Sequence, residues 1–129
     1  MKTPKVKLKI LNGEFSIHRL PASSEIPSSI YESDFFTISK TDDELSILCD
    51  SAINIKSEKS ELGWSCFKII GPLDFSSAGI LAKISSCLAE SHISIFAIST
   101  YDTDYILVSN EKMEQARSSL IESGYLIEK

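Results

Sequence analysis

The chain has 129 residues, 43% apolar and 24% charged, a globular composition long enough for one ordinary domain or two very small ones. A formal net charge of −5 argues against a nucleic-acid partner, which needs a basic surface. No apolar run approaches the roughly 20 residues of a membrane span, and no apolar core follows the basic "MKTPKVKLKI", so no membrane partner and a cytoplasmic location are expected.

Taken in chain order, "VKLKILNGEFSIHRL" (6–20) reads as two strands joined by a hairpin at Asn12-Gly13. The alternating lysines of "KVKLK" read as the solvated face of the first. A polar patch, "SSEIPSS" (23–29), marks a first boundary, and Pro21 and Pro27 leave room only for a short or degenerate helix. Strands follow at "FFTIS" (35–39) and "ELSILCD" (44–50). The charged stretch "IKSEKSELG" (55–63) marks a second boundary, dividing the chain into 1–62 and 63–129.

The second half is plainer. "GWSCFKIIG" (63–71) is a strand by its aromatic and β-branched residues, stopped by Gly71-Pro72. From Ser76 or Ser77, which suit an N-cap, the period becomes helical, with Ile80, Leu81, Ile84, Cys87 and Leu88 on one face. "ISIFAIS" (93–99) and "DYILVS" (104–109) are strands. A second helix over 110–124 has Asn110 to cap it, Gly124 to end it, and Met113, Ala116, Leu120 and Ile121 as its apolar face. "YLIE" (125–128) is a last strand, completing the strand–helix–strand–strand–helix–strand order of ferredoxin-like domains.

A faint repeat links the halves. With residues 35–50 set above 95–110, Phe36 meets Phe96, Ile38 meets Ile98, Ser39 meets Ser99 and Asp42 meets Asp102.

Chemistry-bearing residues are few. Cys49, Cys66 and Cys87 are widely spaced among apolar neighbours and read as buried reduced thiols. His18 and His92 stand far apart, and no P-loop, G-x-G-x-x-G or metal-ligand spacing occurs, so no cofactor, metal or catalytic residue is expected. Two segments stand out. "GPLDFSSAG" (71–79) joins a strand to a helix, whose free N–H groups attract anions, with Gly79 open either to close approach or to helix packing. The other is "STYDTD" (99–104), six polar or amphipathic residues without glycine or asparagine between apolar strands, with Asp102 and Asp104 either turn acids or partners for a cation.

Residues 71–108 resemble an ACT domain, a small module that binds amino acids and similar effectors. The likeness rests on Asp74, Gly79-Ile80-Leu81, Leu88-Ala89-Glu90 and the apolar strand Ile93–Ile98. "STYDTDYILV" is similar to bacterial stand-alone tandem ACT proteins and to the ACT repeats of the cytosolic arginine sensor; related repeats regulate aspartate kinases. In the usual loop two residues separate Asp from Gly, whereas here four separate Asp74 from Gly79.

The resemblance implies an α+β fold of two tandem ferredoxin-like (βαββαβ) domains, antiparallel sheets with helices on one face: a degenerate ACT-like domain at 1–62 and an ACT domain at 63–129. Carried over, Leu73, Asp74, Phe75, Ser76, Gly79 and Ile80 form one wall of an effector site. Ser99, Thr100, Asp102, Thr103 and Asp104 form the other. The expected function is a non-catalytic, amino-acid-binding regulator with its effector at an ACT–ACT interface, acting on a separate enzyme or transporter. A ligand-free interaction module is the alternative. Tyr105 and Leu107 on one sheet face and Ile106 and Val108 on the other are all apolar; helices cover one face, and a second chain over the other gives the expectation of a homodimer, with an isolated buried edge as the alternative.

Overall fold

The computed structural model describes residues 6–71 and 79–128. Strands β1 (Lys7–Ile10), β2 (Phe15–Leu20), β3 (Thr37–Lys40), β4 (Leu45–Asp50) and β5 (Lys59–Gly71) precede helix α1 (Ile80–Glu90). Then come β6 (Phe96–Ser99), β7 (Asp104–Ser109), helix α2 (Met113–Glu122) and β8 (Leu126–Glu128). The fold is α+β, and its sheet is mixed.

Two compact units divide the chain, one of Gly13–Trp64 and one joining the residues up to Asn12 with those from Ser65 onward. In the Gly13–Trp64 unit the strand order is β3-β4-β2-β5, every pair antiparallel. Alternation sends Leu45, Ile47 and Cys49 of β4 inward with Leu20, Ile30 and Ile55. A 3₁₀ turn, Ser28–Glu32, stands where a first helix would come, as Pro21 and Pro27 led one to expect.

The other unit has the order β6-β7-β5-β1-β8 and carries both α-helices. Phe67, Ile69, Ile106, Val108 and Leu8 from the strands pack with Ile84 and Leu88 of α1 and Ala116 and Leu120 of α2. Fully burying each of the larger side chains contributes about 1.5–3 kcal/mol. Both helices end in Schellman turns. After α1, His92 (φ +60°) donates its N–H to Ala89 O at 2.9 Å and Ile93 to Leu88 O at 3.0 Å. After α2, Gly124 (φ +99°) donates to Ile121 O and Tyr125 to Leu120 O, both at 3.0 Å.

Several expectations are corrected. No hairpin forms at Asn12-Gly13: β1 pairs with β5 and β8, and β2 with β4 and β5. β1 thus belongs with the second half, whereas the division at 62/63 placed it with the first. The parallel pairing of β1 with β8 makes the sheet mixed rather than purely antiparallel. Residues 59–62, read as part of the boundary stretch before the strand, are strand themselves, because Lys59, Ser60 and Glu61 have ladder partners on β2.

The helix signals need correction too. Gly79, not a serine, occupies the N-cap of α1. Asn110 opens a 3₁₀ turn before α2, and its side-chain oxygen accepts a hydrogen bond from the Ser65 hydroxyl instead of capping the helix. Ile121, assigned to the apolar face of α2, is exposed. On the sheet face turned from the core, Leu107 is already fully buried within the single chain, so its burial needs no second copy.

Candidate functional site

The polar run between β6 and β7 resolves into a tight turn. Ser99 and Asp104 are the last ladder pair, leaving Tyr101 and Asp102 at the centre of a turn spanning Thr100–Thr103. Thr100 N–H donates to Thr103 O at 2.8 Å, and the Thr100 hydroxyl donates to the same oxygen at 3.1 Å. The Thr103 N–H donates back to Thr100 Oγ1 at 3.3 Å. The side chain of Thr100 therefore does what glycine or asparagine does in commoner hairpins, and no residue of the turn has positive φ.

Thr103 fixes the turn in space. Its buried hydroxyl donates to Ile69 O at 2.6 Å, joining the turn to the end of β5, two residues before that strand finishes. Asp104 is half-exposed and accepts the Ser99 hydroxyl through Oδ1. Tyr101 and Asp102 are exposed at the tip. Beside the turn, Lys68 Nζ lies 6.0 Å from the centre of the Tyr105 ring, at the outer reach of a cation–π contact.

The other segment expected at the site is described from the start of α1 onward. Gly79 has φ +89°, a conformation that disfavours a side chain, and an added Cβ there meets nothing within 4 Å among the described residues. Backbone conformation is thus reason enough for this glycine. Gly79 at the N-cap has no side chain to cap the first turn of α1. Ile80 packs against the core, making it a partly buried support. Leu73, Asp74, Phe75 and Ser76 lie outside the described residues.

The structure thus brings Ser99, Thr100, Asp102, Thr103 and Asp104 together with the end of β5, the strand that leads toward Gly79 and Ile80. Sequence reasoning read the polar run as one feature and missed that Thr100 and Thr103 spend their hydroxyls on backbone. The spacing Thr-x-x-Thr was the available signal. The same device recurs in the other unit: Thr41 N–H donates to Glu44 O at 2.9 Å, and Glu44 N–H to Thr41 Oγ1 at 3.2 Å. The turns match one residue away from the alignment of 35–50 with 95–110, since Thr41 corresponds to Thr100 rather than Tyr101.

Other chemistry lies elsewhere. Cys49 and Cys66 are fully buried, and burial pushes the Cys66 thiol up to about 12. Among the described residues, no group of three or more His, Cys, Asp and Glu stands ready for a metal, and no helix is long and apolar enough to cross a membrane. An open groove of about 370 Å³ runs along the outer side of α1, lined by Ala82, Lys83, Ser86, Cys87, Glu90, Ser123 and Tyr125. Nothing in the sequence pattern pointed to it.

Comparison with known proteins sets this geometry in a family. The ACT-domain family model matches residues 59–122, and a second model, for an N-terminal domain, matches 13–57. The cytosolic arginine sensor for mTORC1, subunit 1, of Pongo abelii is 34% identical over 121 residues, covering 84% of this chain and 36% of that protein. The human protein is 33% identical over the same length. The chain thus spans about a third of the length of these relatives.

A crystallised Agobacterium tumefaciens protein is 40% identical, with a TM-score of 0.90 over 97% of this chain and 93% of that one. Aspartate kinase from Clostridium acetobutylicum, 14% identical, shares the fold with a TM-score of 0.69 over 91% of this chain and 34% of its own. From the matched segment and the identity to these relatives, the chain belongs to the ACT-domain family.

Proposed function

We propose that this chain is a non-catalytic, amino-acid-binding regulatory protein made of two tandem ferredoxin-like domains of ACT type, its effector held at an interface between such domains. The residues assigned to the effector are Leu73, Asp74, Phe75, Ser76, Gly79 and Ile80 on one side and Ser99, Thr100, Asp102, Thr103 and Asp104 on the other. Helix amides receive the α-carboxylate, as helix N-termini do for anions, and an aspartate faces the α-amine. The effector acts by differential affinity for two arrangements of the protein, which biases binding to a separate enzyme or transporter. A second copy of the chain is the other partner.

The observation that carries this reading is the Thr103–Ile69 hydrogen bond. It holds a turn with an exposed aspartate at the end of β5, the strand that leads toward α1. The family's amino-acid binding, and the arginine sensing in the relative's name, support the effector class.

One observation favours the alternative of a ligand-free interaction module. The hydroxyls of Ser99, Thr100 and Thr103 are all engaged inside the turn or with β5, leaving fewer free groups for a ligand. A thermal melt against each of the twenty amino acids at millimolar concentration decides. A ligand at 100 times its dissociation constant adds about 2.7 kcal/mol and raises the midpoint by several degrees. No shift with any amino acid overturns the effector reading in favour of the interaction module.

A further inference from the structure

In the ladder between β1 and β5, Lys9 stands directly opposite Lys68. Their neighbours Leu8, Phe67 and Ile69 point into the core, so both lysines rise from the other sheet face, Lys9 exposed and Lys68 half-buried. The Cβ atoms of such a pair lie about 4.5–5.5 Å apart, and like charges directly opposite each other destabilise a sheet. Carboxylates are not scarce, since the chain has 18 acidic against 13 basic residues. Yet among the described residues the ion pairs are Lys7–Glu128 and Arg19–Glu58, which use neither lysine. Glu128 is in register with Lys9, but its carboxylate lies 3.4 Å from Lys7 Nζ. On the β7 side, Lys68 Nζ is 6.0 Å from the centre of the Tyr105 ring.

We propose that Lys9 and Lys68 form a binding site for a dianionic phosphoryl group carried by a small molecule. Each ammonium sits on a flexible four-carbon stem, so the two converge on one anion from neighbouring strands. A carboxylate brings a single charge to two cations. A phosphate monoester at pH 7 carries about −1.5 to −2 and strong acceptor oxygens, enough to engage both. The bound anion replaces repulsion across the ladder with attraction on both sides. Polyanions are the wrong occupants, because a net charge of −5 repels nucleic acid and anionic membrane surfaces far more than one small dianion. The site lies on the sheet face turned from the helices, uses none of the residues assigned to the effector, and stands whether or not an amino acid binds.

Thermal melts of the full chain in rising inorganic phosphate, against sodium chloride at matched ionic strength, test this. The wild type is expected to show a saturable rise of about 2 °C or more, cut at least about threefold by Lys9→Gln and by Lys68→Gln. Lys68→Glu, which sets a carboxylate opposite Lys9, is expected to melt above the wild type without phosphate and to gain nothing from it. Circular dichroism confirms that each variant is folded; Lys9→Gln, at the exposed position, carries the test if a Lys68 variant is not. No saturable rise, or a rise that the three variants keep in full, overturns the proposal. Co-sedimentation with phosphatidic acid vesicles would assign the face to a lipid headgroup and overturn the small-molecule source. Amino acids are absent throughout, so this proposal and the effector reading fail separately.

Discussion

Thr103 Oγ1 donates to Ile69 O at 2.6 Å, and through this bond the β6–β7 turn is positioned by β5 and not only by its own hairpin. Replacing Thr103 with valine keeps the shape and removes the donor, leaving a buried carbonyl short of a partner. A loss of about 1–3 kcal/mol in urea unfolding is expected, with Thr103→Ser retaining most of the stability. If valine costs nothing, the turn is held by its ladder alone.

Asp104 separates a ligand contact from a structural one. Among the described residues its carboxylate accepts only the Ser99 hydroxyl, at a half-exposed position, so Asp104→Ala is expected to cost under about 1 kcal/mol without ligand. The same variant should lose any amino-acid-dependent rise in melting temperature. Unfolding of the ligand-free variant would make Asp104 structural instead.

His18 makes the stability of the Gly13–Trp64 unit depend on pH. Its ring is buried, Nδ1 pairs with Ser57 Oγ at 3.1 Å, and Nε2 has no partner among the described residues. Burial holds its pKa below the ordinary 6.5. Below that value the unfolded chain takes up a proton that the folded chain refuses. The His18 contribution is therefore flat above pH 6.5 and turns against folding as pH falls through it. Urea midpoints at several pH values should show His18→Gln with a shallower loss of stability between neutral and mildly acid pH than the wild type.

His92 occupies the left-handed position after α1 with φ +60°, where glycine carries no side-chain penalty. His92→Gly is expected to stabilise the protein by up to about 1 kcal/mol, read as a higher melting temperature. A lower one would mean that the imidazole makes a contact worth more than the backbone relief.

The cysteines should differ in reactivity. Cys49 and Cys66 are fully buried, with Cys66 pushed up to about 12, while Cys87 is half-buried at the groove. Alkylation of the native protein, read by mass spectrometry, should modify Cys87 first and the other two only after unfolding. Early labelling of Cys66 would contradict its burial.

Local signals in the sequence determined most of the elements. The Leu45–Ile47–Cys49 alternation, the helical spacing of Ile80, Ile84 and Leu88, and the stop at Gly124 each act over a few residues and can be read directly. The sequence also carried the family likeness and singled out 99–104, because a polar run between two apolar strands stands out. Partner choice was decided only in three dimensions. Asn12-Gly13 has the chemistry of a hairpin, yet β1 finds more ladder partners between β5 and β8 than β2 could give it, since strand pairing answers to the whole sheet. Likewise the use of the Thr103 hydroxyl depends on Ile69, far away in sequence, and shows only once the turn is seen against β5.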